Sequence, residues 1–176
     1  IYIGYDSRDT LAYDITRHAI VRRLSQDIEI HKLDLSELRA QGLYRRPTRF
    51  VKDDQMWDVI SDAPMATEFA ISRFLVPHLA QAGWALFLDS DMLTTVDLNQ
   101  VFELADPDKA VMCVKHLHLP KKYEKMNGQL QTFYRRKNWS SFMLFNCNHP
   151  ANLELTINMV NTLPGRDLHA FCWLND

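Results

Sequence analysis

The sequence lacks the features that would assign it at once to a membrane or nucleic-acid class. No apolar run approaches the about 18 residues that a membrane-spanning helix needs, and no signal peptide precedes the first strand-like run. Neither sign of charge dominates, because 20 Lys and Arg stand against 22 Asp and Glu, for a net charge of −2. We therefore expect a soluble globular protein without a transmembrane segment that does not bind nucleic acid.

Cysteine is scarce and odd in number. The chain has three, Cys113, Cys147 and Cys172, and the first two lie within apolar runs. This pattern indicates buried, reduced thiols and not a disulfide framework, so we expect a cytoplasmic protein. Motifs of the G-x-G-x-x-G, Walker, nucleophile-elbow and C-x-x-C types are also absent.

The two ends of the chain suggest a piece of a longer protein. The sequence has no initiator Met, opens inside the strand-like run IYIGY, and stops directly after an apolar stretch. We expect a domain whose C-terminal part is missing.

Hydrophobic periodicity predicts a single α/β domain over residues 1–176. A strand at 1–5, a helix at 10–24 with Leu11, Ile15, Ala19 and Leu24 inward, and a strand at 28–33 form a βαβ unit with parallel pairing. Further on we predict a helix at 65–82 that is kinked by Pro77. Three continuous apolar runs predict strands at 84–88, 110–114 and 142–145. A last helix is predicted to start at Pro150, with Leu153, Ile157 and Val160 inward. These elements predict a mixed, mostly parallel sheet flanked by helices, while residues 36–61 stay unassigned.

The run WALFLDSDML places two carboxylates, Asp89 and Asp91, at the end of an apolar strand. Ligands of open α/β sheets bind outside the carboxyl ends of the strands. Two carboxylates one residue apart repel each other, and a bound Mg²⁺ or Mn²⁺ offsets that repulsion. The alternative is a solvated acidic turn that caps the next segment.

Two other charged residues are candidates for the same edge. Asp6 also follows a strand, and its carboxylate could accept a hydrogen bond from a base or a ribose; alternatively it caps the helix near residue 10. Arg73 could neutralise Asp89 or reach a phosphate, or it could lie on a solvated helix face. The segment 115–137 carries a charge of about +6 among aromatic residues, which suits a flap over an anionic ligand or an ordinary solvated loop.

The order of these motifs resembles the retaining glycosyltransferases of family 8, which have the GT-A nucleotide-sugar fold. IYIGYD at the first strand, Arg73 to Pro77 in the helix TEFAISRFLVPHL, and Leu88-Asp89-Ser90-Asp91 carry the resemblance, which spans roughly residues 1–160. It implies transfer of a sugar, with retention, from a nucleotide-sugar, in particular a UDP-sugar, to a carbohydrate or glycolipid acceptor. A peripheral membrane contact is compatible with such an acceptor.

The resemblance also implies roles for individual residues. Asp89 and Asp91 would bind Mn²⁺ (or Mg²⁺), and with Arg73 they would be the catalytic group. Tyr5, Asp6 and Ser7 would contact the nucleotide, and Arg73 and Ser90 would contact the donor. Trp139-Ser140-Ser141 stands where the family usually has Asn-Ala-Gly, and the family's third metal ligand, a late His, would lie beyond residue 176.

Two readings from other classes remain open. A phosphatase of the haloacid dehalogenase type also places D-x-D after an apolar strand, with the first Asp as nucleophile, although there the motif normally follows the first strand. The chain could also be a non-catalytic nucleotide-sugar-binding or structural fragment.

Overall fold

The computed structural model describes residues 1–115, 136 and 139–175, except for the side chain of Asp53. Its strands are β1 (Tyr2–Gly4), β2 (His31–Leu33), β3 (Thr48–Val51), β4 (Gln55–Asp58), β5 (Ala63–Pro64), β6 (Trp84–Leu88), β7 (Val111–Cys113) and β8 (Phe142–Asn146). Its α-helices are α1 (Thr10–Val21), α2 (Leu35–Ala40), α3 (Phe69–Ser72), α4 (Val76–Ala80), α5 (Asn99–Glu103), α6 (Pro150–Leu153), α7 (Ile157–Thr162) and α8 (Gly165–His169). Short 3₁₀ turns cover Lys52–Asp54 and Arg73–Leu75.

The larger sheet has the strand order β2-β1-β6-β8-β7. Strand β1 pairs in parallel with β2 and β6, whereas β8 runs antiparallel to β6 and β7. The predicted α/β class with a mixed sheet is therefore confirmed, and β1, α1 and β2 form the predicted parallel unit. Two of the four described pairings are parallel, so the sheet is more evenly mixed than the predicted "mostly parallel" arrangement.

Both faces of this sheet are covered, as the apolar run of β6 predicts. Successive side chains of β6 alternate between the two faces. Ala85 and Phe87 pack with residues of α2, α3, α4, α7 and α8, and Leu86 and Leu88 pack with residues of α1 and with Leu98 before α5. The central strand is thus held between two apolar cores, and this fixes the position of the polar residues that follow it.

The unassigned region 36–61 forms α2 and most of a second, antiparallel sheet, β3-β4-β5. A buried arginine connects this sheet to the C-terminal helices. Arg46 Nε donates to Asp58 Oδ1 over 2.9 Å, and its Nη1 donates to the carbonyl oxygens of Val160 and Leu163. The short strands of this sheet are therefore anchored by an ion pair.

Helix α1 lies where predicted, but the prediction of its inward face was wrong for two residues. Leu11 and Ile15 are 65% and 50% exposed, whereas Tyr13, Thr16 and Ile20 are buried. The hydroxyl of Thr16 donates to the Ser90 carbonyl oxygen over 2.6 Å, so the helix turns this polar residue toward the end of β6. The helix ends at Val21, and β2 occupies only the second half of the predicted strand.

The predicted helices at 65–82 and after Pro150 are each broken. Helix α3 starts at Phe69, and the 3₁₀ turn separates it from α4, where Pro77 lies in the first turn and its missing N–H removes no helical bond. Helices α6 and α7 replace the last predicted helix. Leu153 is 69% exposed, contrary to prediction, because buried Asn152 takes the inward place and donates to the carbonyl oxygens of Ala110 and Asn146.

Over the described ranges, none of the helices has the length and apolar character that crossing a membrane would require.

Candidate functional site

The acidic residues of the sequence motifs lie at one edge of the larger sheet. Tyr2 is opposite Phe87 and Ile3 opposite Leu88 in the parallel pair of β1 and β6, so both strands end on the same side. Asp6, Asp89 and Asp91 line a cavity of about 340 Å³ at this edge. Parallel pairing of two strands thus brings together residues that are more than 80 positions apart in the sequence.

A second cavity, of about 420 Å³, adjoins the first one. Both are lined by Asp89 and Asp91, so the D-x-D motif lies on the border between them. On one side the second cavity is lined by Arg73 of the 3₁₀ turn, by Ser140 and Ser141 just before β8, and by His169 of α8. On the other side it is lined by Asp58 of β4 and by Ser61, between β4 and β5. The arrangement offers two neighbouring compartments with shared carboxylates.

Arg73 lies behind the motif, as one of its two predicted roles requires. Its Nη1 is 2.8 Å from Asp89 Oδ1, and the two side chains are only 6% and 16% exposed. The same Nη1 donates to the Ser140 carbonyl oxygen, and Nε donates to that of Phe69. The guanidinium carbon lies 4.8 Å from the centre of the Phe87 ring. Arg73 is therefore held on several sides and neutralises Asp89; the solvated helix face is excluded.

The two carboxylates of the motif have different surroundings. Burial raises the pKa of Asp89 above its ordinary value, against the lowering effects of the Arg73 charge and a hydrogen bond with the Ser141 side chain. Asp89 Oδ1 is buried and accepts no well-aligned hydrogen bond, so its contact with Arg73 is an ion pair. Asp91 is exposed to the cavities. The Arg73 charge and the hydrogen bond thus offset only part of the cost of burying an ionised Asp89.

The motif passes one chemical test for a divalent cation. Mg²⁺-like ions bind through one or two carboxylates and complete their coordination with water and substrate phosphate oxygens. Asp89 and Asp91 supply two such hard ligands beside open space. In the ranges that the structure describes, no group of three or more His, Cys, Asp or Glu is placed to hold a metal.

Asp6 is buried and extensively hydrogen-bonded. Its Oδ1 accepts from the backbone N–H and Nε of Arg8, and its Oδ2 accepts from Arg8 Nη2 and the backbone N–H of Glu68. Burial alone would raise the pKa of Asp6, but these hydrogen bonds and the Arg8 charge lower it. The N-cap of α1 is Asp9, whose side chain accepts from the Ala12 N–H, so the capping alternative for Asp6 is excluded.

The remaining predicted residues lie around the same edge. The Tyr5 ring packs edge-on against Tyr13 and has Lys32 Nζ 4.3 Å from its centre. Ser7 is exposed, and its hydroxyl donates to Glu68 Oε1 over 2.8 Å. Ser90 is buried and lines the smaller cavity. Ser90 and Asp6 thus lie at the predicted cavity, whereas Tyr5 and Ser7 do not line it.

Sequence reasoning missed a histidine in the larger cavity. His169, at the end of α8, has Nδ1 2.7 Å from Ser140 Oγ, and its ring packs edge-on against Phe74. Burial, followed by the positive charge of Arg73, lowers the pKa of His169 to about 3. The ring is therefore neutral at physiological pH. Nothing in the local sequence distinguishes this histidine, because the contact joins segments 29 residues apart.

The predicted basic flap at 115–137 lies largely outside the described residues. Of its charged members, the structure describes Lys115 and Arg136. Arg136 Nη1 donates to the carbonyl oxygens of Ala170 and Phe171, next to α8.

The cysteines are free thiols: Cys147 is buried, Cys113 is half-buried and Cys172 is exposed. Burial raises the pKa of Cys147 to about 11, so it is a protonated core residue.

The sequence is similar to that of a known plant protein. The chain is 44% identical over 177 residues to Protein CDI of Arabidopsis thaliana, an alignment that covers 100% of this chain and 63% of the relative. The chain therefore spans less than two thirds of the length of that protein, whose name indicates neither an activity nor a ligand. No family model and no solved structure matches the chain.

Proposed function

We propose that this chain is the nucleotide-sugar-binding part of a metal-dependent glycosyltransferase that transfers a sugar, with retention, from a UDP-sugar to a hydroxyl acceptor. The observation that carries the proposal is the position of Asp89 and Asp91 on the border of two cavities at the carboxyl end of a central strand. A nucleotide diphosphate and a sugar need two adjoining compartments with the phosphates between them. The order of motifs in the sequence supports the same activity.

In this proposal Asp89 and Asp91 hold Mn²⁺ or Mg²⁺. The bound cation would act as a Lewis acid on the diphosphate and stabilise the developing charge of the leaving group by several kcal/mol. Arg73 favours the ionised form of the Asp89 carboxylate and orients it. Ser90, between the two carboxylates, is buried and lines the smaller cavity, which would take the nucleotide.

The larger cavity would take the transferred sugar and its acceptor. Ser140, Ser141 and His169 give it neutral hydrogen-bonding groups, which suit sugar hydroxyls. We propose a carbohydrate or glycolipid as the acceptor and, from the free thiols, a cytoplasmic location.

The test is hydrolysis and transfer of a panel of UDP-sugars by the protein with Mn²⁺. The proposal predicts metal-dependent release of UDP from at least one sugar donor, and loss of that release in Asp91→Asn. A matched control is Asp14→Asn, which changes an exposed carboxylate on α1. Release of phosphate from p-nitrophenyl phosphate with Mg²⁺, together with no UDP release, would favour the phosphatase alternative and contradict the proposal.

A further inference from the structure

The residue that follows the first strand by four positions, Arg8, has a geometry suited to direct contact with a nucleotide. The carboxylate of Asp6, by contrast, has its hydrogen-bonding capacity filled. An ionised carboxylate offers about four lone-pair sites, and both oxygens of Asp6 already accept two hydrogen bonds each. To accept a further hydrogen bond from a base, Asp6 would have to release one of these donors.

Arg8 has donors to spare. A guanidinium group carries five N–H bonds. Nε donates to Asp6 Oδ1 over 2.8 Å, and Nη2 donates to Asp6 Oδ2 and to the Ala66 carbonyl oxygen over 2.6 and 3.0 Å. No residue within the described ranges accepts from Nη1, so two N–H donors of a rigidly held group remain. The side chain is 39% exposed and lines the smaller cavity.

The charges around Arg8 indicate which part of a nucleotide it contacts. Its ion pair with Asp6 is neutral overall, and the other charged residues that line the smaller cavity are Asp9, Asp89 and Asp91. This acidic surrounding disfavours an additional anion at Arg8. A neutral acceptor, such as a base carbonyl or a ribose oxygen, fits the two remaining donors better.

We propose that Arg8 is the residue that recognises the nucleoside half of the ligand, through hydrogen bonds from Nη1 to a base or ribose oxygen, and that Asp6 is the positioning residue that holds Arg8 in place. The inference rests on the proposed function and deepens it. It differs from the expectation that Asp6 itself contacts the base. It leaves the diphosphate to the metal at Asp89 and Asp91.

The test compares three probes, UDP, uridine and inorganic pyrophosphate, by calorimetry in the presence of Mn²⁺. Arg8→Lys keeps a cation beside Asp6 but loses the planar fork. Loss of one or two hydrogen bonds should weaken UDP and uridine binding by about tenfold and leave pyrophosphate binding unchanged. Arg22→Lys, an exposed residue at the end of α1, is the matched control and should bind all three probes like the wild type.

A double-mutant cycle tests the positioning role of Asp6. Asp6→Asn should weaken UDP binding as Arg8→Lys does, and the double variant should be no weaker than either single one, because both changes remove the same contact. If thermal unfolding shows that a single variant folds poorly, the double variant Asp6→Asn with Arg8→Gln, in which both side chains are uncharged, is used in its place. It should bind UDP and uridine more weakly and pyrophosphate like the wild type.

The outcomes separate the inference from the proposed function. Wild-type affinity of Arg8→Lys for UDP would overturn the inference and leave the proposed function standing. An equal loss for pyrophosphate and UDP would make Arg8 a phosphate contact and overturn the assignment to the nucleoside. Absence of UDP binding by the wild type with Mn²⁺ would overturn both.

Discussion

Arg73 Nη1 and Asp89 Oδ1 lie 2.8 Å apart in a largely buried position at the wall of the larger cavity. The arginine contacts the aromatic rings of Phe69 and Phe87 and two backbone carbonyl oxygens, so it belongs to the core as much as to the site. The carboxylate, in contrast, is partly exposed and lines both cavities. This pair therefore couples the stability of the fold to the chemistry of the D-x-D motif.

Removal of Arg73 should destabilise the protein strongly. Arg73→Gln leaves the Asp89 charge without its partner in a buried position, which typically costs about 3–5 kcal/mol. Urea unfolding should show this loss in the single variant and a smaller one in Arg73→Gln with Asp89→Asn, where no unpaired charge remains. A loss below about 1 kcal/mol in the single variant would mean that solvent reaches Asp89 far more than its burial indicates.

The buried pair of Arg46 and Asp58 should stabilise the junction between the smaller sheet and the C-terminal helices. Asp58→Asn leaves the guanidinium of Arg46 without its counter-charge and should lower the free energy of unfolding by about 3–5 kcal/mol. Asp14→Asn, a change of an exposed carboxylate, is the control and should have little effect.

The same pair predicts a pH dependence. Burial alone would raise the pKa of Asp58, but the hydrogen bonds from Arg46 and Ser61 and the Arg46 charge lower it. The folded protein therefore binds fewer protons at this site than the unfolded chain does. The stabilisation is complete above the unfolded pKa of about 4 and is lost as the pH falls through the lower folded value. The stability difference between wild type and Asp58→Asn should shrink with acidification below about pH 4; a constant difference would contradict this.

Protonation of His169 should destabilise the folded protein on mild acidification. Its folded pKa lies below its unfolded value, so the stabilisation is complete above about pH 6.5 and declines as the pH falls toward the folded value of about 3. Between pH 7 and pH 5 the loss should reach about 2 kcal/mol. His169→Gln should remove this part of the pH dependence, whereas His18→Gln, on the exposed side of α1, should not. Identical pH profiles of wild type and His169→Gln would contradict the neutral state of the ring.

The close packing of Gly4 in β1 against the Phe69 ring should be needed for the stability of the fold around the site. A Cβ atom added at Gly4 would lie 2.5 Å from the Phe69 ring, which is too close for any side chain. Gly4→Ala must displace Phe69, whose carbonyl oxygen accepts from Arg73, and overpacking of this kind costs about 1–3 kcal/mol. Thermal unfolding should show the loss and its partial recovery in Gly4→Ala with Phe69→Leu; the absence of any loss would contradict the tight packing.

The strands of the larger sheet were largely predictable from the sequence, and so was the position of the D-x-D motif at the end of one of them. Continuous apolar runs identify β6, β7 and β8 because both faces of these strands are covered, and Asp89 and Asp91 follow from the end of one of them. The inward face of α1 was not predictable from hydrophobicity. Thr16 faces the sheet and donates a hydrogen bond to the Ser90 carbonyl oxygen, whereas the apolar Leu11 and Ile15 are exposed.

The smaller sheet and part of the site depend on contacts that no local pattern announces. A fully buried arginine such as Arg46 is rare, and its partners are distant in sequence. The same applies to the contact between Ser140 and His169, which joins segments 29 residues apart. Residue types and spacing indicated that these side chains share one edge of the sheet, but only the three-dimensional arrangement shows which donors and acceptors remain available there.

The central claim is that Asp89 and Asp91 together hold a divalent cation that binds a nucleotide diphosphate. The most direct measurement is calorimetric titration of UDP into wild type and Asp91→Asn, each with Mn²⁺ and with EDTA. If the claim holds, the wild type binds UDP more tightly with Mn²⁺ than with EDTA, and Asp91→Asn loses this difference while its thermal unfolding is unchanged. UDP binding that is indifferent to the metal in both proteins would contradict it.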